Sequence, residues 1–132
     1  MRVKLAYGKT GLDVELADEL NVTVVEPKYV TALPDSKAAL RLALNQPIAA
    51  PPLRELVQSS DRVGIVFCDI TRPAPSHLMV PAVLKELAHV PRENIILFNA
   101  LGTHRPNTDA ELRAMLGDDV VDSYRIVQNN AF

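Results

Sequence analysis

Two short stretches, "CDITRPAP" at 68–75 and "NALGTHRPNT" at 99–108, hold the side chains best suited to chemistry: Asp69 and Arg72 in the first, His104 and Arg105 in the second. A carboxylate, two guanidinium groups and an imidazole on one rim suit a small carboxylate or phosphate ligand. Arginine offers such an anion a planar fork, and histidine takes or returns a proton near neutral pH. Each residue alone also has an ordinary reading: an aspartate opens turns, and arginine and histidine populate solvated loops. What argues for a site is their joint placement. Each stretch runs from an apolar segment through a threonine and an arginine to a proline. Thr71 and Thr103 are 32 residues apart, about one strand-and-helix unit.

The elements that would position these tips are strongly marked. "RVGIVFC" (62–68) is a nearly continuous apolar run, the pattern of a strand covered on both faces. "PSHLMVPAVLKELAHV" (75–90) carries Val80, Val83, Leu84 and Leu87 on one helical stripe, interrupted by Pro81. "NIILFNALG" (94–102) reads as a second buried strand. "TDAELRAMLG" (108–117) reads as a helix with a Thr108/Glu111 capping box and a stop at Gly117, and "YRIVQ" (124–128) as a third strand. Strand, helix, strand, helix, strand with short links predicts two crossovers in a parallel sheet. The C-terminal ends of parallel strands share one edge, where ligands bind. Both chemical stretches fall on that edge.

Upstream, short strands are expected at 3–7, 11–16 and 21–27, with "YGKTG" turning between the first two. A helix is expected over 36–45, capped by Asp35 or Ser36 and stopped by Pro47, with a short helix in "APPLRELVQ" after it. The fold class is therefore α/β: N-terminal short strands, then a β-α-β-α-β parallel-sheet unit, in three layers. At 132 residues one domain is the expectation.

Composition narrows the function. The net charge of -2 and the lack of a Lys/Arg block give no reason to expect nucleic acid or an anionic membrane. No apolar run is long enough to span a bilayer, and the N-terminus lacks the apolar core of a secretory signal. The single cysteine, Cys68, excludes an internal disulfide and reads as a small buried core residue; a reducing cytoplasm fits best. His77 and His89 fall on or near the helix and read as structural or exposed. Gly102 belongs to neither GxGxxG nor GxxxxGK[ST], which disfavours a dinucleotide or phosphate-loop site.

Taken together, "YGKTGLDVEL", "DITRPAP" and "NALGTHRPNTDAEL" resemble the N-terminal part of the nickel-dependent lactate racemase family, across essentially the whole chain. The resemblance implies a 2-hydroxyacid racemase or epimerase using a nickel-pincer nucleotide, a pyridinium mononucleotide whose thiocarboxylate arms hold nickel. It implies that His104 is one of two catalytic histidines removing the substrate hydroxyl proton while hydride moves to the cofactor. It assigns Asp69, Ile70, Thr71 and Arg72 to the cofactor-contacting motif, and no metal ligand to this chain. Family members are considerably longer. The second histidine, the lysine tether, the nickel-ligating histidine and a C-terminal domain are expected in a further part of the same chain, a partner alongside the small 2-hydroxyacid substrate. Two other readings compete: a non-catalytic α/β ligand-binding or interaction domain, and a phosphate-handling enzyme using Arg72 and Arg105.

Overall fold

The structure, a computed structural model, describes residues 1–131 and forms two compact units, one of Met1–Ala32 and one beginning at Leu33. In the first unit β1 (Arg2–Leu5) and β2 (Leu12–Glu15) pair antiparallel, with Val3 opposite Val14 and Leu5 opposite Leu12. A Gly11 N–H to Tyr7 carbonyl hydrogen bond of 2.9 Å closes the turn between them. The strand expected at 21–27 does not form. Val24 and Val25 are exposed, and their β-branched character has no neighbouring strand to complete a ladder.

In the second unit α1 (Ser36–Asn45) starts where its cap predicts: the Asp35 carboxylate accepts from the Ala38 N–H at 2.9 Å. The one-turn helix α2 (Leu53–Leu56) follows. Then come β3 (Val63–Cys68), α3 (Ser76–Glu86), a 3₁₀ turn (Arg92–Asn94), β4 (Ile95–Ala100), α4 (Asp109–Leu116), α5 (Asp118–Ser123) and β5 (Arg125–Gln128). β3, β4 and β5 lie side by side in that order, all parallel, so the β-α-β-α-β unit and the α/β class are as expected.

The short helix α5 was not anticipated. Its sequence, "DDVVDS", is poor in helix formers, and Gly117, at φ 88°, reads as a stop. Tertiary contacts hold it. Val120 is buried in the core, and Arg113 of α4 reaches Asp109 at 2.7 Å, Asp118 at 3.1 Å and Asp122 at 2.8 Å, bracing one helix against the next.

Alternation along the strands sorts their side chains. Phe67, Ile95 and Leu97 face a core completed by Val80 and Leu84 of α3, Leu112 and Leu116 of α4, and Val120. α1 packs against α3, whose residues Leu78, Pro81 and Ala82 lie opposite that core stripe. Three layers result, sheet, α3 with α4, then α1, all stacked from one side of the sheet. The other face, expected to be covered, is open among the described residues: Val66 is 70% exposed, Phe98 is 39% exposed, and Cys68 is exposed rather than a core residue. The reason is topological. Two successive crossovers of the same hand along a sequential strand order place both helices on one side. Gly64 serves this open face, since a Cβ there would come within 3.1 Å of the Phe98 ring.

Candidate functional site

The β3–β4 register pairs Val63 with Ile95 and Cys68 with Ala100. The same offset carried past the strand ends sets Thr71 level with Thr103 and Arg72 with His104. The two tips also close alike. The Arg72 N–H reaches the Asp69 carbonyl at 3.2 Å, and the His104 N–H reaches the Leu101 carbonyl at 3.0 Å, so each strand exits through a four-residue turn. Gly102 takes φ 59° in the second turn, a conformation that side chains with a Cβ rarely adopt. The two tips thus share a hydrogen-bond pattern but not a turn conformation, since Ile70, the counterpart of Gly102, has no positive φ.

At this edge Asp69 and His104, 35 positions apart, meet. The His104 Nδ1 lies 2.5 Å from Asp69 Oδ2, and the Thr71 hydroxyl donates to Asp69 Oδ1 at 2.8 Å. Asp69 is 5% exposed while the His104 side chain is 51% exposed. The carboxylate is therefore the buried member and the imidazole the one open to a ligand. The hydrogen bond from His104, followed by that from Thr71, holds the Asp69 carboxyl below its ordinary range, against the opposing effect of burial. Asp69 is accordingly ionised at neutral pH.

Arg72 shares the first turn and is exposed; its guanidinium has no hydrogen-bond or ion-pair partner among the described residues. Ile70, 42% exposed, and Thr71 stand beside it on the rim. Arg105 differs. Its guanidinium grips both Glu111 oxygens, at 2.9 and 2.7 Å, and the Pro106 carbonyl at 2.9 Å. Glu111 in turn closes the capping box of α4, accepting from the Thr108 N–H at 2.8 Å while its own N–H reaches the Thr108 hydroxyl at 3.3 Å. Arg105 is thus committed to holding the loop onto α4, which removes it from the anion-binding set considered in the sequence.

That clamp carries a pH signature. Arg105 foremost, then the Thr108 N–H, hold the Glu111 carboxyl at about 2 instead of about 4.5. Because the folded-state value is the lower one, the contribution of Glu111 to stability is complete above the unfolded value and is lost as pH falls through this window. Urea titrations between pH about 4.5 and about 2 should show stability falling less steeply in Glu111→Gln, which keeps the cap but not the charge. Identical slopes would mean that the ion pair contributes nothing.

Four amide side chains missed in the sequence secure the His104 loop at both ends. At its start, Asn129 accepts from the Leu101 N–H at 2.5 Å and donates to the Gly102 carbonyl at 3.2 Å. At its end, Gln128 accepts from the Asn107 N–H at 2.7 Å and donates to the Asn107 carbonyl at 2.9 Å, copying a strand pairing with a side chain. The Asn107 amide donates to the buried Asn99 Oδ1 at 2.6 Å. The one available signal was a polar residue, Asn99, inside an otherwise apolar strand. Elsewhere, the His89 Nε2 is bonded to the Val57 carbonyl at 2.7 Å, and His77 is exposed on α3. No cluster of three or more His, Cys, Asp or Glu able to hold a metal occurs among the described residues, nor a helix long and apolar enough to cross a membrane.

Comparison with known proteins places this geometry in context. Residues 7–132 match the family model described as the lactate racemase N-terminal domain. The lactate racemase of Lactiplantibacillus plantarum is 38% identical over 131 residues, covering 96% of this chain and 31% of that protein. That of Thermoanaerobacterium thermosaccharolyticum is 29% identical over 133 residues, covering 98% of this chain and 31% of that protein. The solved structure of the lactate racemase apoprotein from Thermoanaerobacterium thermosaccharolyticum superposes with a TM-score of 0.75 at 27% identity, over 98% of this chain and 30% of that one. The chain therefore spans a little under a third of the length of these relatives.

Proposed function

The chain belongs to the lactate racemase family, as its N-terminal domain, and on that premise we propose that it supplies one wall of the active site of a 2-hydroxyacid racemase or epimerase, lactate being the first substrate to test. The observation that carries this reading is the Asp69–His104 pair at the ligand-binding edge of the sheet. An anion-binding domain without chemistry needs only the cation Arg72; a half-exposed imidazole backed by a buried carboxylate suits proton transfer.

In this reading His104 takes or returns the proton of the substrate hydroxyl on one face, and a second histidine, in a further part of the polypeptide, serves the other face of the planar 2-oxoacid. Arg72, exposed and unpaired, holds a carboxylate or phosphate through its planar fork. Ile70, Thr71 and Arg72 form a rim that fits the anionic part of a nickel-pincer nucleotide; when bound, that group supplies the site that accepts and returns hydride. We place the nickel ligands in a further part of the polypeptide. The setting for this chemistry is cytoplasmic.

A chimera tests the reading directly. Residues 1–132 would replace the matched N-terminal part of the Thermoanaerobacterium thermosaccharolyticum lactate racemase, followed by cofactor loading and a chiral assay. We expect interconversion of the two lactate enantiomers by the chimera, and neither racemisation nor stoichiometric nickel with the 132-residue chain alone. A folded, nickel-loaded chimera inert toward lactate and other 2-hydroxyacids would overturn the proposal in favour of a non-catalytic ligand-binding domain.

A further inference from the structure

Resting on the racemase reading, we infer that Asp69 is a positioning residue for His104, fixing the imidazole as the Nδ1–H tautomer so that Nε2 is the nitrogen that takes the substrate proton. The assignment departs from a cofactor-contacting role for this carboxylate, because both of its oxygens are already engaged. Oδ1 accepts from the Thr71 hydroxyl at 2.8 Å and Oδ2 faces His104 Nδ1 at 2.5 Å.

The argument is one of donors and acceptors. An ionised carboxylate accepts hydrogen bonds and donates none, so the ring nitrogen facing Oδ2 must carry a proton. A neutral imidazole carries one proton, and the other nitrogen then holds a free lone pair. With Nδ1 committed, Nε2 is the basic atom.

Burial makes the choice binding. Asp69 is 5% exposed, and a buried carboxylate that lost one of its two donors would be left partly unsatisfied. His104 is therefore held in one ring orientation as well as one tautomer. The Thr71 hydroxyl sets the sense of the arrangement: by donating to Oδ1 it identifies that atom as an acceptor, which leaves Oδ2 for the histidine. The two amide clamps, Asn129 on the Leu101 N–H and Gln128 on Asn107, keep the loop at the height where this contact forms.

Long-range proton–nitrogen NMR correlation on the ¹⁵N-labelled 132-residue chain tests the inference without any cofactor. With the imidazole neutral, wild-type His104 is expected to show its proton on Nδ1. Asp69→Ala removes the acceptor that faces Nδ1, so the preference for Nδ1–H should be lost and the ring proton should populate Nε2. Thr71→Val leaves the carboxylate in place and should keep the proton on Nδ1; should Asp69→Ala fail to fold, this variant and the wild type still decide the matter. A wild-type ring protonated on Nε2, or an Nδ1–H tautomer unchanged in folded Asp69→Ala, would overturn the inference. In the loaded chimera, Asp69→Ala should lower kcat by about 10²- to 10⁴-fold with nickel content unchanged. A chimera with no activity at all would count against the racemase reading and leave the tautomer result standing. An active chimera with the wrong tautomer would count against Asp69 alone.

Discussion

Turnover of the loaded chimera in both directions is expected to fall by about 10²- to 10⁴-fold on replacing His104 with alanine, the usual size of a general acid–base contribution. Each racemisation cycle visits both faces of the substrate, so one missing proton carrier slows D-to-L and L-to-D conversion alike. The fold should survive, since the His104 side chain is 51% exposed at a loop and no core contact depends on it. The change does strip Asp69 of one of its two donors, so His104→Asn belongs beside it. An asparagine amide still offers Asp69 a hydrogen bond but cannot carry the substrate proton. If His104 is the base, the two variants should be equally inactive, with nickel content and circular dichroism matching the parent. Near-parental rates in a fully loaded His104→Asn enzyme would reduce this histidine to a loop-shaping residue and remove the main support for catalysis.

The largest stability effect is expected at Leu97. It is 0% exposed in the centre of β4, with the α3 and α4 side chains around it. Leu97→Ala should cost about 2–5 kcal/mol through lost burial and the cavity left behind, a large share of the roughly 5–15 kcal/mol that holds a typical domain folded. The contrast with Val66 is the sharper test. Val66 lies one strand away on the opposite face and is 70% exposed, so Val66→Ala should change stability by less than about 0.5 kcal/mol. Urea unfolding of both variants of the 132-residue chain compares them directly. Equal losses at the two positions would mean that the open sheet face is covered in solution, by a second copy or by a segment folded over it.

Much of this protein was determined locally. Hydrophobic period and punctuation placed α1, β3, α3, β4, α4 and β5 within a few residues of their observed bounds, because caps such as Asp35 and Thr108 and stops such as Pro47 and Gly117 act over three or four residues. Alternating strands and helices then required a parallel sheet, and a parallel sheet required both chemical tips on one edge. The sequence alone thereby brought Asp69, Arg72 and His104 to the same rim.

Tertiary structure decided the rest, wherever the outcome depended on a partner distant in the chain. "NVTVVEP" has strand-like residues but no ladder to join, and a strand is a property of two segments. "DDVVDS" has weak helix propensity and becomes α5 because Val120 finds the core and Arg113 finds Asp118 and Asp122. An apolar run such as "VGIVFC" does not reveal which of its faces is covered; the hand of the crossovers settles that, exposing Val66 and Cys68 and burying Phe67. Of the neighbouring side chains His104 and Arg105, nothing local says which turns toward the buried Asp69 and which toward Glu111. Two turns and two amide clamps fix that choice by setting the loop's direction, the clamping amides coming from Gln128, the last residue of β5, and from Asn129 just after it. Residue types and spacing settled which groups stand at the edge; the pairing that makes one of them a base needed the folded backbone, because a hydrogen bond depends on distance and direction that a linear pattern does not encode.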